Sequence, residues 1–181
     1  MVVKLFESLR ALFYTPYYVG LEIGAFSAEG LDIELSRPDS PQSAAAGLFD
    51  GSAEVTWGGP MRMMQYQQER GDGIVVAFAE AVTRDPFYLV GSEPRDDFHM
   101  NNLAGLRVGT VSEVPTPALC LGDDLIRAGV DRQSIHFVTD QTMAENVEGL
   151  RRGELDAIQI FEPYVETLVS EGSGHIWYAA A

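Results

Sequence analysis

The residues best suited to chemistry lie where strand-like segments give way to helix-like ones. Leu12-Phe13-Tyr14-Thr15-Pro16-Tyr17-Tyr18 follows the first strand-like run, and Gly58-Gly59 follows a short run ending at Trp57. Glu80, with Arg84 nearby, comes after an apolar run ending at Ala79. Ser112 to Thr116 follow Val111, and Phe161-Glu162-Pro163-Tyr164 follow Ile160. These connections offer aromatic faces at Tyr14, Tyr17, Trp57 and Tyr164. They add hydroxyls at Ser112 and Thr116, carboxylates at Glu80 and Glu162, and a guanidinium at Arg84. Planar ligands suit aromatic walls with a few fixed polar groups. In open α/β sheets ligands bind beyond the carboxyl ends of strands. Gly58-Gly59 would let a ligand approach the backbone N–H groups that open the next helix. A ligand is expected to stack on the Tyr and Trp faces and to hydrogen-bond to Ser112, Glu162 and those N–H groups. Trp57→Ala is then expected to weaken binding in a chain that still folds.

Nothing comparable points to catalysis. Gly-x-Ser-x-Gly, phosphate-loop and Gly-x-Gly-x-x-Gly patterns are missing. His99, His136 and His175 have no metal-ligand spacing. Cys120 lies between Leu119 and Leu121 in a helical pattern, which suits buried filler better than a thiolate nucleophile. The expectation is a binding protein with no catalytic residue, no metal and no cofactor.

The elements that must position these loops alternate along the chain. Strands are expected at Val2–Phe6, Leu31–Leu35, Val55–Trp57, Ile74–Ala79, Phe87–Val90, Leu106–Val111, Ile135–Val138, Ala157–Ile160 and Ile176–Tyr178. The continuous apolar run Ile74–Ala79 reads as a parallel strand buried on both faces. Helices are expected at Tyr17–Phe26, with Val19, Ile23 and Phe26 on one stripe, and at Pro41–Phe49 behind a Ser40 cap. Further helices are expected at Met61–Glu69 and after a Thr116 cap with Pro117 at its first position. The remaining two follow Thr139 or Asp140, and Pro163–Val169. Gly129 supplies a left-handed stop for the helix of Leu121 and Leu125. Strands alternating with helices argue for an α/β fold with mostly parallel sheets flanked by helices. The composition changes between Glu80 and Asn102. The expected organisation is a first α/β lobe over 1–82, a crossover over 83–98 and a second α/β lobe over 99–181.

The chain has 181 residues, enough for one domain or two small lobes that fold without staples. It carries 12 basic and 27 acidic residues, a net charge of −15, and Lys4 is its only lysine. Nucleic acid binding needs a basic footprint that this sequence does not supply. Anionic membrane surfaces are disfavoured for the same reason. No stretch has the roughly 18 apolar residues of a membrane span, so direct membrane insertion is not expected. With one cysteine, no intrachain disulfide forms. The start, Met1-Val2-Val3-Lys4-Leu5-Phe6, is too short and too quickly polar to be expected to act as a signal peptide. The compartment is then periplasmic or otherwise extracytoplasmic if a signal was removed, and cytoplasmic if not.

An ordered set of segments resembles a known family. Tyr17-Tyr18-Val19-Gly20-Leu21-Glu22-Ile23-Gly24-Ala25-Phe26-Ser27-Ala28-Glu29-Gly30-Leu31-Asp32-Ile33-Glu34 resembles the opening of type II periplasmic solute-binding proteins. It is most similar to the branch binding sulfonates, nitrate and thiamine pyrimidine precursors. Gly51-Ser52-Ala53-Glu54-Val55, Leu103-Ala104-Gly105-Leu106-Arg107-Val108-Gly109, Gly153-Glu154-Leu155-Asp156-Ala157 and Phe161-Glu162-Pro163-Tyr164 resemble later family segments, in order. The resemblance spans residues 2 to about 178. It implies two α/β lobes with a ligand cleft between them, and contacts near Tyr14, Tyr17, Trp57, Gly58, Ser112 and Glu162. Family chains thread back into the first lobe after the second, and that return segment is expected to be missing here.

The resemblance implies a solute-binding protein that delivers a small-molecule ligand to the permease of an ABC transporter. The aromatic lining favours a planar heteroaromatic, such as a thiamine pyrimidine precursor. Glu162 and Glu80 would accept from its amino or ring N–H donors. The alternative is a small anion such as an organosulfonate or nitrate, held by helix N-terminal amides with Arg84 as the cationic group. Two other readings fit less well. A pyrimidine synthase of the same fold would need a Schiff-base lysine and a cysteine-rich metal motif, and a regulator's sensing domain would need a helix-turn-helix.

Overall fold

Alternating apolar residues at Val3 and Leu5 start the first sheet. The computed structural model describes residues 1–71 and 75–180. These divide into two units, Met1–Thr83 and Arg84–Ala181.

In the first unit, β1 (Val2–Glu7) leads through a 3₁₀ turn at Leu12–Tyr14 into α1 (Thr15–Glu22) and the short α2 (Ala25–Ala28). Then follow β2 (Asp32–Ser36), α3 (Pro41–Asp50), β3 (Val55–Trp57) and α4 (Pro60–Arg70). The sheet order is β2-β1-β3, with all pairs parallel. Leu5 lies beside Leu35 and Val55, and Glu7 beside Trp57. The Ser40 hydroxyl accepts from the Ser43 N–H at 3.1 Å, and Pro41 opens α3, as the sequence signals.

Two expectations fail in this unit. The single helix over Tyr17–Phe26 is broken, because Gly24 takes the left-handed conformation at φ 70°. The stripe it was to bury is open: α1 buries none of its residues, and Val19 and Ile23 are exposed. The expected strand Ile74–Ala79 does not form either. Ile74 lies outside the described residues, and residues 75–79 have no regular structure. Val76 is 74% exposed and Phe78 78%. An apolar β-branched run becomes a strand only where neighbours cover its faces and pair its backbone. Among the described residues nothing pairs with this run.

In the second unit, β4 (Tyr88–Gly91) precedes a 3₁₀ turn at Met100–Leu103, β5 (Arg107–Gly109) and α5 (Thr116–Arg127). Then come β6 (His136–Val138), α6 (Met143–Arg151), β7 (Ala157–Ile160), α7 (Tyr164–Glu171) and β8 (His175–Ala179). The order is β6-β5-β7-β4-β8. β5 runs parallel to β6 and β7, whereas β4 is antiparallel to β7 and β8. All four residues of β7 are buried, as a strand covered on both faces requires. Leu89, Leu103, Val108, Leu121, Leu125, Ile135 and Trp177 close one core around it. Gly91 has a packing reason: a Cβ there would sit 1.9 Å from the Trp177 ring.

Helix starts were only partly legible. α5 begins at Thr116 without a side-chain cap, one residue before the expected position, and Gly129 at φ 71° ends it. The cap of α6 is Thr142, not Thr139 or Asp140. Its hydroxyl accepts from the Glu145 N–H while the Glu145 carboxylate accepts from the Thr142 N–H. This reciprocal box satisfies two otherwise orphaned donors. α7 starts at Tyr164, one residue after Pro163.

Candidate functional site

In the first unit the carboxyl ends of β1 and β3 lie side by side, and the expected aromatics gather there. Glu7 ends β1 opposite Trp57, which ends β3. The Tyr17 and Trp57 rings stack with centroids 4.6 Å apart and planes 5° apart. Tyr14 lies 5.7 Å from Trp57, and Tyr18 meets it edge-on at 5.7 Å. The Trp57 indole N–H donates to the Leu9 carbonyl at 3.3 Å. Trp57 is only 4% exposed, and Tyr17 covers one of its faces. It therefore supports Tyr17 rather than offering an open wall. Burial raises the Tyr14 hydroxyl to about 12, as it does, with the nearby Glu7 charge, for Tyr18. Both phenols stay neutral at physiological pH.

Beneath this cluster is a polar network that the sequence reading missed. Glu7 is 1% exposed, and a buried carboxylate needs partners. It accepts from Arg10 Nε at 2.9 Å, from Arg10 Nη2 at 3.0 Å and from the Tyr18 hydroxyl at 2.8 Å. These donors, Arg10 foremost, hold its carboxyl below the usual carboxylate range against the opposing effect of burial. The Arg10 guanidinium also lies over the Tyr18 ring, 5.6 Å from its centroid. An acidic residue ending a strand, with arginine three positions on, was the available signal.

Gly58 and Gly59 are exposed and lead straight into α4. No side chain caps that helix, so its first N–H groups remain available to a ligand or water. Glu80 is exposed on the irregular segment after residue 74 and makes no hydrogen bond or ion pair among the described residues. The structure does not join it to the aromatic cluster.

In the second unit, β5 and β7 are parallel neighbours, so the loops after them emerge together. Ser112 and Thr116 stand on one and Glu162 and Tyr164 on the other. The Ser112 N–H donates to the Gln141 carbonyl at 3.0 Å, which ties in the loop after β6. One oxygen of Glu162 accepts from the Glu166 N–H at 2.9 Å and so serves the start of α7. Arg84 is exposed ahead of β4, whose first residue Tyr88 pairs with Ile160 at the carboxyl end of β7. It therefore stands at the same end of this sheet. Tyr164 is half-buried at the first position of α7.

Buried amides hold these loops. Gln159 Nε2 donates to the Pro117 carbonyl at 2.9 Å, and Asn146 Nδ2 donates to the Thr110 carbonyl at 3.1 Å. Cys120 has its thiol pushed up by burial first and by Asp85 and Asp124 second. That is the opposite of what a nucleophile needs. Among the described residues no group of three His, Cys, Asp or Glu side chains could hold a metal. Among the described residues no helix is long and apolar enough to cross a membrane.

The profile of the NMT1-like family matches residues 9–180. The chain belongs to the NMT1-like family. YtlA of Bacillus subtilis (strain 168), which carries the name of a binding protein, is 23% identical over 175 residues, 96% of this chain and 52% of YtlA. Among solved structures, the alkanesulfonate-binding protein SsuA of Xanthomonas axonopodis pv. citri, bound to MOPS, matches with TM-score 0.72. It is 15% identical and covers 98% of this chain and 60% of its own. PhnD1 of Prochlorococcus marinus (MIT 9301), in complex with methylphosphonate, matches with TM-score 0.68. It is 13% identical, with 98% of this chain and 71% of PhnD1 covered. The fold is that of type II periplasmic binding proteins. The chain spans about half of YtlA and three-fifths of SsuA.

Proposed function

We propose that this NMT1-like chain carries ligand-binding elements of a solute-binding protein that feeds an ABC-type importer. Its role is capture without chemistry. The observation that carries this reading is the convergence of Tyr14, Tyr17 and Trp57 with the uncapped start of α4, all at the carboxyl ends of β1 and β3. Tyr17, backed by Trp57, supplies a flat half-buried face, and the α4 N–H groups supply fixed donors. A planar heteroaromatic of the thiamine pyrimidine precursor type suits that pair. Ser112, Thr116, Glu162, Tyr164 and Arg84 in the second unit, and Glu80 in the first, are further proposed ligand contacts. The permease partner and an extracytoplasmic location belong to the same proposal.

The second reading is a small organic anion. It is supported by the uncapped amides and by relatives described as binding alkanesulfonate and methylphosphonate.

Thermal denaturation of the purified chain tests the proposal, run against 4-amino-5-hydroxymethyl-2-methylpyrimidine, propanesulfonate, methylphosphonate and nitrate. A ligand present at 100 times its dissociation constant stabilises by about 2.7 kcal/mol. A shift with the pyrimidine that Tyr17→Ala abolishes supports the heteroaromatic reading. A shift with anions alone selects the second. No shift with any compound rejects capture by this chain.

A further inference from the structure

The buried strand β7 carries a single polar residue, Gln159, which is 5% exposed. Strand pairing sets it in a row across three strands. Gln159 lies opposite Leu89 of β4, and Leu89 lies opposite Tyr178 of β8. On α5, Pro117, Cys120, Leu121 and Asp124 recur at i, i+3, i+4 and i+7, which places them on one helix face. Two hydrogen bonds join that face to the row. Gln159 Nε2 donates to the Pro117 carbonyl at 2.9 Å, and the Tyr178 hydroxyl donates to Asp124 Oδ2 at 3.2 Å. Between the two layers is a cavity of about 10 Å³, which Asp85 also lines. A volume of that order holds one water-sized particle.

The lining is one-sided. It includes two carboxylates, Asp85 and Asp124, and no basic residue. Gln159 Oε1 is closed to solvent and accepts no hydrogen bond among the described residues, while its Nε2 is already committed to Pro117. The Tyr178 hydroxyl is committed to Asp124, and the Cys120 thiol is only a weak donor. The Cys120 thiol and the Tyr178 phenol register the same environment. Burial first, then the Asp85 and Asp124 charges, push both upward. A buried carbonyl oxygen without a donor and carboxylates without a counter-charge are both costly. What matches this lining is a water-sized species that only donates hydrogen bonds and carries positive charge.

We propose that this cavity is a seat for one ammonium ion, held by Gln159 Oε1 and by the Asp85 and Asp124 carboxylates. The ion would satisfy the orphaned amide oxygen, balance the two acidic groups and tie α5 to β7. None of these three residues is among the proposed solute contacts, so the seat stands independently of solute capture.

The test is urea unfolding of the intact chain at neutral pH in ammonium, potassium, sodium or tetramethylammonium chloride at equal concentration. For a dissociation constant of about 10 mM, ammonium at about 100 mM lowers the unfolding equilibrium constant about tenfold. That gain, measured against sodium, is expected with ammonium and not with tetramethylammonium, which has no N–H donor. Asp85→Asn/Asp124→Asn keeps both shapes, removes both charges and should abolish the gain. Asp97→Asn, at an exposed position of the same unit, should retain it. Isotope-labelled ammonium bound to the unaltered chain should show slowed proton exchange and contacts to the Tyr178 ring in heteronuclear NMR spectra. Equal stabilisation by potassium and ammonium overturns recognition through N–H donors. A gain that survives in the double aspartate variant places the ion elsewhere and overturns the seat. Equal stability in all four salts, with no signal from bound ammonium, means that the cavity holds water and overturns the proposal.

Discussion

The two units order their interiors by different means. In the second, bulky apolar side chains do the work: Leu89, Val90, Val108, Leu125, Ile158, Ile160 and Leu168 are closed to solvent around a fully buried β7. In the first, the fully closed residues are Ala44, Ala45 and Glu7, with Trp57 and Tyr14 close behind. Large apolar residues such as Val19, Ile23, Met64, Val76 and Phe78 stay exposed there. The loops of the second unit therefore rest on a core separate from them. The candidate site of the first unit is itself a main part of that unit's packing. A binding surface that doubles as core is hard to alter without unfolding.

This contrast can be broken most directly at Trp57. It touches Tyr14, Tyr17 and Tyr18, so Trp57→Ala should cost about 3–5 kcal/mol in urea unfolding. The buried ring thus adds a stability cost to the weaker binding expected of this variant. A fully stable Trp57→Ala protein that binds ligand poorly would mean that Trp57 is an open wall and that site and core are separate.

A smaller effect is expected at Glu7. Glu7→Gln keeps the shape but removes the charge that three donors surround, and should cost about 1–3 kcal/mol. The pH dependence sharpens the point. The folded-state value of Glu7 is lowered, so the unfolded chain binds this proton more readily. The stabilisation is complete above the unfolded value of about 4.3 and is lost as pH falls through the lower folded value. Urea midpoints measured between neutral pH and pH 3 should converge for the two proteins. A constant gap would show that the network acts through shape alone.

The smallest effect belongs to the second unit. Thr142→Ala removes the α6 capping box and should cost about 1 kcal/mol, without a change in ligand affinity. A loss as large as that of Trp57→Ala would place the second unit's stability in its loop edges, against the contrast drawn above.

Much of the architecture was legible in the residues. Alternation in Val2–Glu7 and Asp32–Ser36, Ser40-Pro41 before α3 and Gly129 after α5 all signal locally, because propensities and caps depend on near neighbours. The aromatic set Tyr14, Tyr17 and Trp57 was visible from its place after strands. Ile74–Ala79 misled, since an apolar run reports burial only where partners exist to cover it. Thr142 was missed as a cap because Thr139 and Asp140 offer the same local chemistry.

The sequence by itself determined the α/β alternation, the acidic charge and the family-like order of segments, all of which follow from residue types and short spacings. Only the tertiary structure decided that Glu7 lies buried under Arg10 and Tyr18, and that Tyr17 covers Trp57. Those outcomes depend on which strands pair and in what register, and parallel pairing joins residues as far apart as Glu7 and Trp57.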